Sequence, residues 1–229
     1  VKTAVMLQAR LHSVRLPRKA LLPLNGGNVL QHTMRALHGV PAELHALLTD
    51  PQSAGVFAPL AQAEGFALFV GPAEDVLARY GQAARHFGAD RVVRATGDNP
   101  LVSARQAALL LRLHARKRLQ LSHFLGNPLG TGVEVVESAA LEEAERRASD
   151  PYEREHITTY LYRHRERFRV GELRCPRRWR FPQGKVTLDT PEDYALLQRI
   201  FAELYRGRPV ETEELVAWLR RHVRAGDPA

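Results

Sequence analysis

The chain has 229 residues, 45% of them hydrophobic, which is enough for one large domain with a sizeable core. Its 33 Lys and Arg outweigh 25 Asp and Glu for a formal charge of +8, and the single cysteine, Cys175, excludes an internal disulfide. No apolar run reaches the roughly 20 residues that span a bilayer, and residues 5–7 are too short for a signal-peptide core, so a cytoplasmic setting is expected.

In chain order, apolar runs alternate with helical patterns. Residues 4–8 read as a strand, 28–38 as a helix, 44–49 as a strand and 53–64 as a helix that Gly65 ends. A strand at 66–70 is followed by a helix at 73–87, stopped by Gly88, and a strand at 91–96. A Leu/Ala helix covers 103–118 and a short strand 119–124. This alternation predicts βαβ units, a mostly parallel sheet and helices on both faces. The rhythm then changes. "LGNPLGTG" is a Gly/Pro loop. A strand at 133–137 precedes helices at 138–148 and 151–164, and strands follow at 168–173 and 185–188. Thr190 is a predicted N-cap with Pro191 in the first turn, and 211–222 is a last amphipathic helix. The stretch 174–181 is the expected excursion from the sheet.

The positive charge admits two readings: nucleic acid, or arginine spread over solvated helix faces. Clusters at 112–118, 163–169 and 174–180 lie in different segments. Few aromatics interleave with them, so no base-stacking platform is evident and no nucleic-acid partner is expected.

The loop at 10–22 carries Arg10, Arg15, Arg18 and Lys19, and the first acid of the chain is Glu43. Such a loop, at the carboxyl end of the first strand, suits a polyphosphate. The alternative is a merely solvated basic loop. It is not a Walker A loop, and Gly26 and Gly27 lack dinucleotide-fingerprint spacing. Asp98 follows the 91–96 strand and Asp189 the 185–188 strand. Two carboxylates facing a cationic loop meet the needs of Mg²⁺, which takes one or two carboxylates plus substrate phosphates. The plainer alternatives are an Asx-turn in Gly97-Asp98-Asn99-Pro100 and a helix-start acid at Asp189. His156 lies three residues after Glu153, a metal-ligand spacing without evident partners, which favours a structural hydrogen bond. Cys175, between Arg174 and Pro176, reads as an inert thiol because no nucleophile motif accompanies it.

"QARLHSVRLPRK" resembles the N-terminal signature of cytidylyltransferases, and more narrowly of the spore coat polysaccharide biosynthesis protein F family, relatives of CMP-N-acetylneuraminate and 3-deoxy-manno-octulosonate cytidylyltransferases. "EDVLARY", "RATGDNPL", "GVEV", "DPYEREHIT" and "LDTPEDY" follow in the family's order, and the resemblance runs from residue 3 to about 220. It implies a glycosyltransferase-A-like nucleotidyltransferase fold, α/β with a mostly parallel mixed sheet, in one domain over 1–229. It implies an enzyme that joins CTP to a sugar acid, releases pyrophosphate and serves surface polysaccharide biosynthesis. Arg10 and Lys19 would hold the triphosphate, with Gln8 and Ala9 beside the cytosine and Ser13, Arg15 and Arg79 at the nucleotide. Asp98 and Asp189 would ligate Mg²⁺. Glu134, Glu153, Arg154 and His156 would meet the acceptor. A homodimer through residues 161–181 is implied, with Phe168, Trp179 and Phe181 as expected anchors. Four positions depart from the family pattern: His12 and Arg18 stand where Gly is usual, and Gly132 where an acid is common. Thr159 also replaces a usual Pro. Two alternatives are a nucleotide-sugar-dependent glycosyltransferase of the same fold, whose usual D-x-D motif is missing, and a basic nucleic-acid-binding protein.

Overall fold

The computed structural model describes residues 1–13 and 15–222. β1 (Thr3–Gln8) lies inside the main sheet. A loop follows it, containing a single 3-10 turn at Lys19–Leu21, and then a small hairpin of β2 (Pro23–Leu24) and β3 (Gly27–Asn28). α1 (Val29–Leu37) starts at a reciprocal cap: the Asn28 side chain accepts from Gln31 N–H, and the Gln31 side chain accepts from Asn28 N–H. β4 (Leu44–Thr49) leads into α2 (Pro51–Ala63), capped by Asp50 with Pro51 in the first turn. β5 (Ala67–Val70) precedes α3 (Val76–Phe87), which Gly88 ends in the left-handed conformation, as its sequence predicts. β6 (Arg91–Thr96) and α4 (Ala104–Lys117) complete this half.

The second half contains β7 (Leu121–Leu125), β8 (Glu134–Glu137), α5 (Ser138–Arg147), α6 (Pro151–Glu155), α7 (Thr159–Arg163) and β9 (Val170–Arg174). It closes with α8 (Pro191–Leu204) and α9 (Thr212–His222). The seven-stranded sheet has the order β5-β4-β1-β6-β8-β7-β9. β5, β4, β1 and β6 run parallel; β8 is antiparallel to both β6 and β7, and β9 is parallel to β7.

Both faces of the sheet are covered, so residues 4–7 of β1 are apolar in succession rather than alternating. Val5 and Leu7 pack with Leu30, Met34 and Phe57 on one face. Ala4 and Met6 pack with Leu77, Tyr80 and Leu141 on the other. A third cluster joins α8 and α9 through Ile200, Phe201 and Trp218 and seats Val186 and Leu188 against them. Among the described residues no helix is long and apolar enough to cross a membrane.

Three expectations need correction. The predicted helix 151–164 is two short helices, because His156 leaves helical geometry at φ −106°, ψ 80°. Ile157, Thr158 and Thr159 follow as three consecutive β-branched residues, which resist a continuous helix. Residues 185–188 form no strand: one isolated bridge joins Lys185 to Leu129, and Leu188 N–H donates to Asp98 O (3.0 Å) instead of to a ladder. Phe168, Trp179 and Phe181 are buried within the chain at 2%, 1% and 5% exposure, so they are core residues and not available as dimer anchors.

Candidate active site

β1 and β6 are in register, Gln8 beside Thr96, so the loops that leave them emerge side by side. Gly97 N–H donates to Gln8 O (2.8 Å). A Cβ on Gly97 would stand 2.9 Å from that of Ala9 and 3.3 Å from Gln8 O, so the approach of the two loops requires glycine there. The basic loop is tied down at its root. Ala9 N–H donates to Leu48 O (3.1 Å), Thr49 Oγ1 to Ala9 O (2.8 Å) and Leu11 N–H to Ser53 Oγ (3.0 Å). Arg18 N–H closes the loop onto Leu11 O (3.1 Å). Arg18 itself has φ 56°, the left-handed region that favours glycine, so an arginine here adopts a conformation that would suit the glycine usual at this position. His12 has no such conformation.

That turn delivers Lys19. Its Nζ donates to Asp98 Oδ2 (2.7 Å), Asp189 Oδ1 (3.1 Å) and Leu188 O (2.6 Å), which uses all three ammonium protons. Arg15 also donates to Asp189 Oδ1 (3.0 Å). Thr96 Oγ1 fixes Asp98 by donating to Oδ1 (2.6 Å). The two carboxylates therefore converge on one cation-sized point. Their oxygens form a hard donor set, and Mg²⁺ needs no third protein ligand when phosphates complete its shell. Among the described residues no group of three or more His, Cys, Asp or Glu is placed to hold a metal ion. The pair thus fits Mg²⁺ taken up together with phosphates.

A cleft of about 320 Å³ opens over this point. Gln8, Ala9, Arg10, Ser13, Arg15, Lys19, Arg79, Asp98, Asp189 and His156 all line it. Arg10 is half-exposed and has only a loose pairing with Glu155 (3.6 Å). Arg79 is buried: its guanidinium donates to Pro72 O (2.8 Å) and Ala73 O (2.8 Å), and burial lowers its pKa from the ordinary arginine value. It secures the 71–75 loop at the cleft floor.

A second cleft, of about 800 Å³, shares Arg94 and Thr96 with the first. Glu134 lies in it. It pairs with Arg94 (2.8 Å) and accepts from Thr158 Oγ1 (3.1 Å) and Tyr162 OH (2.8 Å). The Tyr162 hydroxyl also stands 2.7 Å from His123 Nδ1, and burial together with Glu134 pushes its pKa well up. Arg165 and Glu172 pair at 2.9 Å on the same wall. At Gly132 a Cβ would meet Asn127 Nδ2 at 2.9 Å, so the amide of Asn127 occupies space that a side chain at 132 would need.

Glu153 and Arg154, expected at the acceptor, line neither cleft. Glu153 is buried against Arg163 (2.9 Å), and Arg154 ties Asp75 to Glu145 O and Ala148 O. His156 lies against Tyr152, with ring centroids 4.2 Å apart. Cys175 is buried, which raises its thiol pKa as expected of an inert group. Arg94, Thr96, Glu155, His123, Tyr162 and Arg165 were not singled out from the sequence. One signal was readable: Arg94 interrupts an apolar central strand. Gln8 Oε1, Arg94 Nε and Asn99 Oδ1 are buried without a hydrogen-bond partner among the described residues, and all three belong to these clefts. Such groups cost about 1–3 kcal/mol when unmet, so their placement favours ligand contacts.

The sequence profile of the Cytidylyltransferase family matches residues 4–217. The chain is 30% identical over 224 residues to the spore coat polysaccharide biosynthesis protein SpsF of Bacillus subtilis, covering 95% of this chain and 93% of that one. A cytidylyltransferase structure from Leptospira borgpetersenii superposes with a TM-score of 0.88 at 26% identity, over 96% of this chain and 94% of that one. A CMP:2-keto-3-deoxy-manno-octonic acid synthetase structure, complexed with CTP, shares the fold at a TM-score of 0.67 and 17% identity, over 89% and 99% of the two chains. With the basic loop, the paired carboxylates and the adjoining clefts in place, the chain belongs to the cytidylyltransferase family of nucleotidyltransferase enzymes.

Proposed function

We propose that the protein transfers CMP from CTP to a sugar acid, releasing pyrophosphate, and that the product serves surface polysaccharide biosynthesis, as the name of the B. subtilis relative suggests. The observation that carries this reading is the convergence of Asp98 and Asp189 on Lys19, beneath Arg10 and Arg15 and next to a second, larger cleft. An acceptor hydroxyl oxygen gives up its proton to solvent and forms the new bond to the α-phosphorus. The bond from that phosphorus to the bridging oxygen breaks, and the pair of electrons leaves with pyrophosphate. Little else is covalent, so positioning and charge neutralisation dominate. Asp98 and Asp189 would hold Mg²⁺, which when bound supplies charge neutralisation at the phosphate oxygens. Lys19 must release the two carboxylates to reach the triphosphate, and from there it and Arg10 stabilise charge gathering on the leaving group. Gln8 and Ala9 flank the base. Glu134 and His156 face the acceptor.

Charge balance supports this order. Without ligand, Lys19 and Arg15 neutralise the two aspartates. A divalent cation alone would add uncompensated positive charge, whereas the nucleotide's phosphates offset it and draw both side chains away. Pairing of two copies through residues 161–181 belongs to the proposal on family resemblance alone; a monomeric mass at micromolar concentration would reject it.

Thermal shift tests the nucleotide first, since a ligand that binds only the folded state raises Tm. CTP with Mg²⁺ should raise Tm more than ATP, GTP or UTP. Equal shifts for all four would count against the assignment. Incubation with a panel of sugar acids should then release pyrophosphate; release of free nucleotide from a nucleotide-sugar would point to a glycosyltransferase.

A further inference from the structure

Asp189 is only as well placed as the backbone that carries it, and residues 185–188 are held to neighbouring backbone by the isolated Lys185–Leu129 bridge and by Leu188 N–H donating to Asp98 O (3.0 Å), with no strand ladder. The end of this segment is secured by Asp193. Its Oδ2 accepts from Asp189 N–H (2.8 Å) and from Thr190 N–H (2.9 Å). Lys185 Nζ donates to both Asp193 oxygens, at 2.8 and 2.7 Å. Asp193 is 7% exposed, so these bonds are shielded from water.

Part of this is ordinary helix capping. The Thr190 hydroxyl accepts from Asp193 N–H, and Asp193 accepts from Thr190 N–H in return. A cap needs no more than that. The bond from Asp189 N–H and the pairing with Lys185 are additional, and both bear on Asp189, since Lys185 Nζ also stands 3.8 Å from Asp189 Oδ2.

We propose that Asp193, held by Lys185, is a positioning residue that sets Asp189 at the point it shares with Asp98. This rests on the reading of Asp189 as a metal ligand. The other anchors of the Asp189 side chain are Lys19 (3.1 Å) and Arg15 (3.0 Å), both of which turn to the phosphates when nucleotide binds. The backbone tether through Asp193 does not depend on either. It keeps the carboxylate in place while its side-chain partners are exchanged, which matters because Mg²⁺ tolerates little departure from bonds of about 2.0–2.1 Å.

The test is Mn²⁺ binding followed by electron paramagnetic resonance in the presence of CTP and without acceptor. Thr190→Ala removes the cap and leaves the tether, so it should lower Tm while half-saturating Mn²⁺ stays unchanged. Asp193→Ala should weaken Mn²⁺ binding by about 10–100-fold, the usual cost of removing a group that orients a ligand. Asp193→Asn keeps an oxygen for both N–H groups but loses the charge facing Lys185, and should fall between; it carries the test if the alanine variant fails to fold. Wild-type Mn²⁺ affinity in folded Asp193 variants, with Asp189→Asn impaired, overturns the positioning role alone. Unchanged binding in Asp189→Asn overturns the metal reading and the positioning role with it.

Discussion

The two clefts share Arg94 and Thr96, yet they treat charge differently. In the smaller cleft, Lys19 is divided between two carboxylates, Arg15 leans on one of them from solvent, and Arg10 is loosely paired. In the larger cleft each cation has its own carboxylate, Arg94 with Glu134 and Arg165 with Glu172. The first arrangement can be redistributed when a polyanion arrives. The second is closed in charge, and what it offers are oriented polar groups such as Tyr162 OH, His123 and the unmet Asn99 Oδ1. A phosphate site must exchange partners during a reaction, whereas a site for a hydroxyl-rich ligand gains from being fixed beforehand.

Substitutions in the two clefts should therefore fail differently. The largest effect is expected at the carboxylates: Asp98→Asn and Asp189→Asn should each lower the rate of pyrophosphate release by about 10³-fold or more with the far-UV circular dichroism intact. The double variant should be little worse, because groups that act as one unit are not additive. Near-normal rates in either single variant would remove the exchangeable cation point. Lys19→Ala comes next, with about 10²–10³ lost from kcat/KM, as for other donors to a developing negative charge. An unchanged rate would take the loop out of the mechanism.

On the other side of the comparison, Tyr162→Phe removes one hydroxyl from the larger cleft. It should raise the KM for the acceptor by roughly tenfold, the worth of a hydrogen bond to a charged group, while the Tm shift produced by CTP stays as in the wild type. A loss of the CTP shift would show that the clefts are not separable. The smallest effect is expected at Arg18. A side chain in the left-handed conformation costs about 1–2 kcal/mol, partly offset by the extra chain entropy of glycine, so Arg18→Gly should gain up to about 1 kcal/mol of stability. Arg18→Ala should gain nothing, and both should keep activity within a few-fold. Denaturant unfolding separates the two; a large rate loss in both would instead assign Arg18 to the phosphates.

Much of the first half was legible in the chain itself. The strands at 44–49 and 91–96 were read with their observed bounds, because short apolar runs between punctuating residues are a local signal. Thr190 and Gly88 mark helix ends for equally local reasons. The basic loop and the two aspartates stood out because four cations without an acid among them is a property of sequence. Tertiary structure decided the rest. No local pattern shows that β8 inserts between β6 and β7 and runs against both, since strand partners are chosen by contacts far along the chain. Glu153 and Arg154 sit in a good motif, yet ion pairs with other helices turn them away from both clefts. Lys19 meets Asp98 and Asp189 across 79 and 170 residues. Which charges are shared and which are paired off depends on distances of a few ångströms between such distant residues, and those exist only once the sheet has brought its loops together.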